Sequence, residues 1–403
     1  MLALRLARGT HPLVLLRRLM VAAASAGIGF LLLSALGHAL AHPEQATGSA
    51  VRLLWCLVPI VAVVQLAVAV ARTDPAARTQ PGLSSVGLGP VGMALLAAVS
   101  TAVSCTLGSV FALVAFLGLR GDIGRAPYSG VADMLGAGHP LPYAGLLTLL
   151  FVVPVLSGVT TAVVLRPRKP APGNSPEPSR PAAAEGQPAS ASAAVSTGLP
   201  WGVALTAAGI ALGSYAARTT PASSDRLLPL PGRLDTIPPG VVGGWVFIVI
   251  GLVLACPGLT HLCGKLLASG RPGALRLLSG RVLQEESTRL GRPLGVLCAV
   301  ASGVLAATQL YGTALDSTGH RPFGPLTGVG AALVMACATA TVLTVALETK
   351  GARSDTTAAL LRIGASSSLL RRAAALRGVV MLAVLAPISW AVAELAALPL
   401  SSR

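Results

Sequence analysis

The sequence is poor in charged and aromatic residues. Of its 403 residues, 11% are charged and 3% are aromatic, whereas a soluble domain averages about 25% charged residues. So few aromatic side chains provide no stacking platform for nucleic-acid bases. The pattern G-x-x-x-x-G-K-[ST] does not occur, which excludes ATP binding by a P-loop. The six cysteines lie in apolar runs or, for Cys263, in a basic loop, so no structural disulfide is expected.

What the sequence does contain is long apolar runs. Hydrophobic residues make up 53% of the chain, and nine runs are close to the roughly 20 residues that a membrane-spanning helix needs. The sequence therefore predicts an all-α polytopic membrane protein with about nine transmembrane helices. The predicted spans lie at residues 19–40, 51–71, 93–118, 143–165, 199–216, 241–257, 293–312, 325–347 and 378–398. The first run is too long for a signal peptide, and no clear A-x-A cleavage site follows it.

The basic residues indicate how these spans are oriented. The formal net charge is +16, and 22 of the 30 lysines and arginines fall in alternate connecting segments. Because cytoplasmic loops carry an excess of lysine and arginine, this bias predicts a cytoplasmic N-terminus and an external C-terminus. The charge thus points to topology and to contact with anionic lipid, not to nucleic acid.

The spans divide into two parts around an unusual segment. Residues 166–198 are rich in proline, alanine and serine, and they predict a disordered cytoplasmic linker. Residues 1–165 hold four spans, 199–257 two linking spans, and 258–403 an amphipathic helix and three spans. A shift of 277 residues places the second span on the eighth and the third on the ninth, which indicates two related halves. Chance overlap of apolar runs is the alternative.

A short amphipathic stretch precedes the last span. Ser354 or Asp355 can cap a helix over residues 356–363, and Gly364 can adopt the left-handed conformation that ends a helix. One of the serines 366–367 can cap the next helix, so the sequence predicts a surface helix, a glycine elbow and a membrane helix. Three arginines follow at the predicted headgroup level: Arg371, Arg372 and Arg377. Taken alone, this pattern is also typical of an ordinary interfacial helix.

The segment "LLRIGASSSLLRRA", residues 360–373, resembles the L-R-A-L-G-A-S signature of FtsX-like permeases. These are membrane subunits of ABC transporters of the macrolide-exporter and lipoprotein-release type, and their signature forms the coupling helix that docks on a separate ATPase. The resemblance implies a non-catalytic permease subunit of a bacterial plasma membrane, with a dimeric ABC ATPase as its partner. The implied ATPase-coupling residues are Leu360, Leu361, Arg362, Ile363, Gly364, Ala365 and Ser366.

The chain resembles a divergent two-unit member of this family without a large extracellular domain, since residues 41–50 and 313–324 are too short for one. Thr356 occupies the position where the family usually has an acid, and the second unit lacks its last span. The corresponding first-half loop, residues 77–93, is rich in glycine and proline. Residues 267–293 carry an apolar stripe and resemble the family's amphipathic helix.

Other functions remain open at this stage. A non-transporting membrane regulator, acting on an ATPase or on cell-wall enzymes, is the main alternative. A secondary carrier is disfavoured because no charged residue lies in the middle of a predicted span. The sequence does not identify the substrate, although the short outer loops favour a lipophilic one taken from the bilayer. His38, His42 and Glu44 could approach a metal, but interfacial histidines are usually solvated, so no metal or cofactor is expected.

The distribution of basic residues makes the topology testable. We expect a single cysteine at Ser175 to be shielded from an impermeant thiol reagent in intact cells and one at Ser402 to be labelled. Labelling at Ser175 would contradict the cytoplasmic linker, and protection at Ser402 would change the number of spans.

Overall fold

The computed structural model describes residues 12–73, 90–123, 129–166, 189–219, 239–269, 273–318, 325–364 and 366–401, and it is all-α over these ranges. The α-helices are α1 Pro12–Ala41, α2 Ala46–Trp55, α3 Leu57–Thr73, α4 Pro90–Arg120, α5 Ser129–Met134, α6 Tyr143–Leu165, α7 Ala189–Thr219, α8 Pro239–Ala268, α9 Ala274–Thr318, α10 Pro325–Ala352, α11 Ser354–Arg362 and α12 Ser367–Ser401. One 3₁₀ turn, Pro43–Gln45, lies between α1 and α2.

The prediction of a polytopic α-helical membrane protein is confirmed. In the described part of the chain, nine helical stretches are long and apolar enough to cross a bilayer: α1, α2 with α3, α4, α6, α7, α8, α9, α10 and α12. The predicted linker is too long, because residues 189–198 are already helical as the start of α7. Residues 167–188 lie outside the described residues, as do residues 74–89, which include most of the first-half loop at 77–93.

The spans form two groups joined by one helix. The amino-terminal group contains α1, α3, α4 and α6, and the carboxy-terminal group contains α7, α8, α9 and α12. Helix α10 lies between them, against α1 and α3 on one side and α9 on the other. Cys337 of α10 is buried in the same core as Ile28 of α1 and Val63 of α3. The eighth span therefore packs into the core of the opposite half.

The contacts repeat between the two halves. Spans one and three (α1 and α4) pack together, as do spans seven and nine (α9 and α12), and each half also pairs its first and second spans. The two helices that the 277-residue shift relates, α3 and α10, contact each other. Two related halves predict these shared pairings, but the arrangement is not symmetric: α10 also packs on α1, whereas α3 and α9 make no comparable contact in the described part of the chain.

Glycines bring α7 and α8 into backbone contact. A Cβ at Gly209 would lie 2.6 Å from the carbonyl oxygen of Gly244, and one at Gly251 would lie 2.6 Å from the amide nitrogen of Thr206. Lipid offers no hydrophobic drive between helices, so close van der Waals packing by small residues holds such pairs together. The same device continues between α8 and α9, where a Cβ at Gly291 would lie 2.4 Å from Cα of Pro257.

Helices α8 and α9 are longer than their predicted spans. The sequence predicts spans at 241–257 and 293–312, whereas the helices contain 30 and 45 residues. At 1.5 Å per residue these lengths are about 45 and 68 Å, against a hydrocarbon core of about 30 Å. The predicted amphipathic segment is not a separate helix, because α9 continues through Pro293 without interruption. Its first turns extend beside the end of α8.

A proline in α6 frees a backbone carbonyl that another helix satisfies. Pro154 has no N–H to donate to the carbonyl of Leu150. The hydroxyl of Ser109 in α4 donates to that carbonyl at 3.3 Å. Since an unpaired carbonyl in lipid costs several kcal/mol, this hydrogen bond fixes α6 against α4.

The glycine contacts predict a difference between two neighbouring positions of α7. A Cβ at Gly209 meets backbone atoms of α8, whereas a Cβ at Gly213 meets nothing within 4 Å. We expect Gly209→Ala to lower stability by about 1–3 kcal/mol through overpacking, and Gly213→Ala to be neutral or slightly stabilising because alanine favours a helix. Thermal unfolding of the purified variants in detergent measures both; equal effects would contradict the close α7–α8 contact.

Candidate functional site

The predicted surface helix exists and is joined tightly to the span before it. Helix α11, Ser354–Arg362, follows α10 after a single residue, Arg353. The carbonyl of Arg353 accepts a hydrogen bond from the amide of Thr357 at 2.8 Å, so the first turn of α11 closes on this residue. The N-cap is Arg353 itself, without a side-chain cap, and not Ser354 or Asp355 as the sequence suggested. The helix therefore begins two residues earlier than predicted.

The glycine elbow is formed as the sequence predicted. Gly364 has φ +100°, a region that side chains other than glycine rarely adopt. Its amide donates to the carbonyl of Leu361 at 3.1 Å, which closes the end of α11. The hydroxyl of Ser366 accepts a hydrogen bond from the amide of Leu369 at 3.3 Å and so caps α12. The chain thus ends one helix and starts the next within four residues.

The elbow presents apolar side chains that no described residue covers. Leu361 is 45% exposed and Ile363 is 84% exposed. Both lie between the eighth and ninth spans, which end at Ala352 and begin at Ser367. The exposed residues of the predicted site also include Arg362, Gly364 and Ser366. Ala365 lies outside the described residues, and Leu360 is described for its backbone in α11 only.

A buried carboxylate anchors both ends of this element. We call the end of the bundle that carries Arg353 and Arg377 the basic end. Glu286 of α9 lies between them: its carboxylate oxygens are 3.3 Å from Nη1 of Arg353 and 3.5 Å from Nη1 of Arg377. Its side chain is only 11% exposed, and the two arginine side chains are 23% and 25% exposed. Neighbouring Glu285, whose side chain is 65% exposed, contacts Arg353 at 3.1 Å.

A second contact joins α12 to α9, four residues before Arg377 and seven residues before Glu286. The hydroxyl of Ser279 lies 3.3 Å from the carbonyl oxygen of Ala373, and both residues are buried. The elbow therefore extends from a platform of three helices: α10 through Arg353, α9 through Glu286, and α12 through Arg377. The residues of the ionic cluster come from three separated parts of the sequence, whereas the exposed residues 361–364 are contiguous.

The other residues that the sequence analysis considered form no comparable site in the described part of the chain. His38 and His42 stack with ring centroids 4.3 Å apart, but no group of three or more metal-ligating side chains occurs within the described ranges. Glu394 of α12 accepts a hydrogen bond from Nε2 of Gln309 at 2.6 Å and so links spans seven and nine. The cysteines are free thiols in helices or the α2–α3 turn.

Sequence reasoning did not identify Glu286 as part of the site. The apolar stripe within residues 267–293 contains Leu275, Leu278 and Val282, and the sequence alone assigned no role to the acids beside it. The signal in the sequence is a pair of adjacent acids, Glu285 and Glu286, in a segment otherwise dense in arginine. The structure shows that Glu286 is the buried one of the two. No protein-family model, curated protein or solved structure matches this chain, so the geometry is the basis for any functional inference.

The positive φ of Gly364 predicts a loss of stability from backbone strain that can be distinguished from steric crowding. A Cβ at Gly364 or at Gly351 would meet nothing within 4 Å, but only Gly364 has positive φ. We expect Gly364→Ala to lower stability by about 1–2 kcal/mol because of backbone strain. Gly351→Ala, at the second-last residue of α10, should leave it unchanged or raise it by up to about 0.5 kcal/mol, less than the effect in the middle of a helix. Thermal unfolding in detergent checks the pair; a neutral Gly364→Ala would contradict the left-handed elbow.

Proposed function

We propose that this chain is the permease subunit of an FtsX-like ABC transporter and couples ATP hydrolysis by a separate ATPase to movement of a substrate. The exposed pair Leu361 and Ile363, at the tip of an element fixed to three helices, is the observation that carries the proposal. The signature resemblance over residues 360–373 supports it. The membrane would be a bacterial plasma membrane, with the basic end in the cytoplasm, as the lysine and arginine bias predicts.

Burial of the elbow in a partner is energetically reasonable. A fully buried leucine or isoleucine side chain contributes about 1.5–3 kcal/mol relative to an exposed one. A few central apolar anchors usually dominate a protein interface. Arg362, between these two residues, is exposed and offers a charged contact for the rim. An amphipathic helix of this size is also a common way for one protein to enter a groove of another.

The connections of α11 suggest how motion of the ATPase would reach the membrane. ATP binding would close the ATPase pair and push α11. A push would act directly on α10, since Arg353 is the single residue between the two helices. It would act on α12 through the elbow at Gly364. Because α10 lies between the two groups of spans, this displacement would alter how the groups meet and so open or close a path for substrate.

Two alternative roles for the same surface lead to different experimental outcomes. In the regulator alternative, α11 binds an ATPase or another enzyme but no substrate moves. In the second, Leu361 and Ile363 lie in the headgroup region and α11 is an ordinary interfacial helix. Binding of an ATPase or another enzyme without transport would favour the first, and failure to bind any partner protein would favour the second.

The proposal predicts that the purified chain hydrolyses no ATP and is recovered with a soluble ABC ATPase from native membranes in mild detergent. Leu361→Glu should reduce this recovery by about tenfold or more, because a loss of 1.4 kcal/mol is a factor of ten in affinity and burial of a charge costs more than that. Stimulated ATP turnover in reconstituted membranes should fall in parallel.

Matched controls separate docking from folding. Thr356→Glu places the same charge on the same helix at an exposed position about 140° away, and we expect it to retain most binding. Gly87→Val, in the first-half loop that lies outside the described residues, should also matter less than Gly364→Val. Normal recovery of the ATPase with Leu361→Glu, or loss with Gly87→Val alone, would contradict the assignment of the elbow as the docking site.

A further inference from the structure

Helices α9 and α10 form a long hairpin that is closed at both ends in different ways. At the far end the chain itself connects Thr318 to Pro325. At the basic end the connection is ionic, between Glu286 of α9 and Arg353 directly after α10. The 33 residues from Glu286 to Thr318 extend over about 50 Å of helix. The two helices also pack against each other, and at the basic end the chain returns from α10 to α12 through α11 and the elbow. Within the hairpin, the direct side-chain contact of α9 with the end of α10 is the ion pair.

The two arms of the hairpin belong to different packing environments. Helix α10 packs on the amino-terminal group: a Cβ at Gly27 of α1 would lie 2.9 Å from Cδ1 of Leu333, and Cys337 is buried beside Val63. Helix α9 packs on α8 and α12 of the carboxy-terminal group, for example through Gly295 against Val253. Opening of the hairpin at the basic end would therefore separate the two groups there.

We propose that the ion pair between Glu286 and Arg353 is a latch that holds the two groups of spans together at the basic end. When the pair is formed, α10 is held beside α9 and the hairpin is closed. When it is broken, the groups part at the basic end, while α9 and α10 stay together near Thr318 and Pro325. The role of this latch in transport rests on the proposed function, whereas its effect on the distance between the groups does not.

The neighbouring charges show why Glu286 is the residue that acts. Glu285 also contacts Arg353, but its side chain is largely exposed, and exposed ion pairs contribute little. Arg377 contacts the same carboxylate, but it lies on α12, within the same group as α9. Its charge stabilises Glu286 without crossing between the groups. Loss of a partner from a buried pair is more disruptive, because the remaining charge stays buried with less compensation: without Arg353, Glu286 keeps Arg377 alone of the two arginines.

The position of the latch beside α11 connects it to the docking element. Arg353 both ends the α10 segment and begins α11, so a partner that tilts α11 also moves the guanidinium of Arg353 relative to Glu286. Docking at Leu361 and Ile363 and release of the latch would then be two consequences of one movement. A static elbow would leave the Glu286–Arg353 distance unchanged.

The latch is tested by measuring the distance between the groups in the full chain in lipid nanodiscs. Spin labels are placed by Arg72→Cys, at the exposed end of α3, and by Arg281→Cys, at an exposed position of α9. Cys56→Ala removes the partly exposed native thiol, and the other cysteines are buried. We expect Glu286→Gln and Arg353→Gln each to broaden the distance distribution and shift it to longer values.

Two matched substitutions serve as controls. Glu285→Gln removes the exposed partner of Arg353, and Arg377→Gln removes a contact of Glu286 within the carboxy-terminal group. Both should leave the distribution at its wild-type width. The double variant Glu286→Gln with Arg353→Gln should broaden it no further than either single change, because both remove the same contact.

Each outcome of the distance measurement supports or overturns the latch. An unchanged distribution in both Glu286→Gln and Arg353→Gln, in protein that elutes as wild type, overturns it. Equal broadening in all four single variants means general loosening and overturns it as well. If the latch variants open the groups but the wild-type chain binds no ATPase, the latch stands and the proposed function fails. Should Glu286→Gln not fold, Arg353→Gln alone against Arg377→Gln decides the question.

Discussion

The position of α10 between two groups of helices is the constraint on which the rest of the arrangement depends. Its side chain Leu333 fills the space left by Gly27 of α1, and Cys337 joins a core built mainly from the amino-terminal group. In lipid, apolar burial between helices gains little, so the fit of such shapes decides which helices stay together. A helix that belongs by sequence to the second half is thereby held by the first, and the loop that follows it must return to the other group. That return is α11 and the elbow at Gly364.

Polar contacts make α9 and α12 a single unit. At the basic end, Ser279 contacts the carbonyl of Ala373 and Glu286 contacts Arg377; toward the far end, Gln309 donates to Glu394. Hydrogen bonds between membrane helices contribute roughly 0.6–2 kcal/mol each, and ties at two separated levels resist both sliding and rotation. A force on the elbow would therefore meet α9 and α12 as one body and α10 as another. At the basic end the contact between these two bodies is the ionic one of Arg353 with Glu285 and Glu286.

The sequence predicted the local features well because local features depend on local residues. The nine spans follow from apolar runs, and the elbow follows from Gly364 and Ser366 acting on adjacent backbone. The prediction failed where a partner helix decides the outcome. Helix α9 begins well before its predicted span and packs there on the end of α8, where a Cβ at Gly280 would lie 2.6 Å from the carbonyl oxygen of Gly264. The start of α7 likewise extends into the proline-rich segment. The role of Glu286 depends on Arg353 and Arg377, 67 and 91 residues away in sequence.

A carboxylate between two arginines suits a contact that must form in one state of the protein and break in another. Burial of the charges costs several kcal/mol for each ion, and their mutual attraction repays this cost only in good geometry. The intact cluster can therefore be close to energetically neutral. The apolar packing of Leu333 on Gly27 differs, because all of it would have to be lost before α10 could separate from α1. Because Glu286 keeps Arg377 when Arg353 moves away, the carboxylate is never left alone in either state. Glu286, Arg353 and Arg377 thus lower the free energy of the open form and still define the geometry of the closed form.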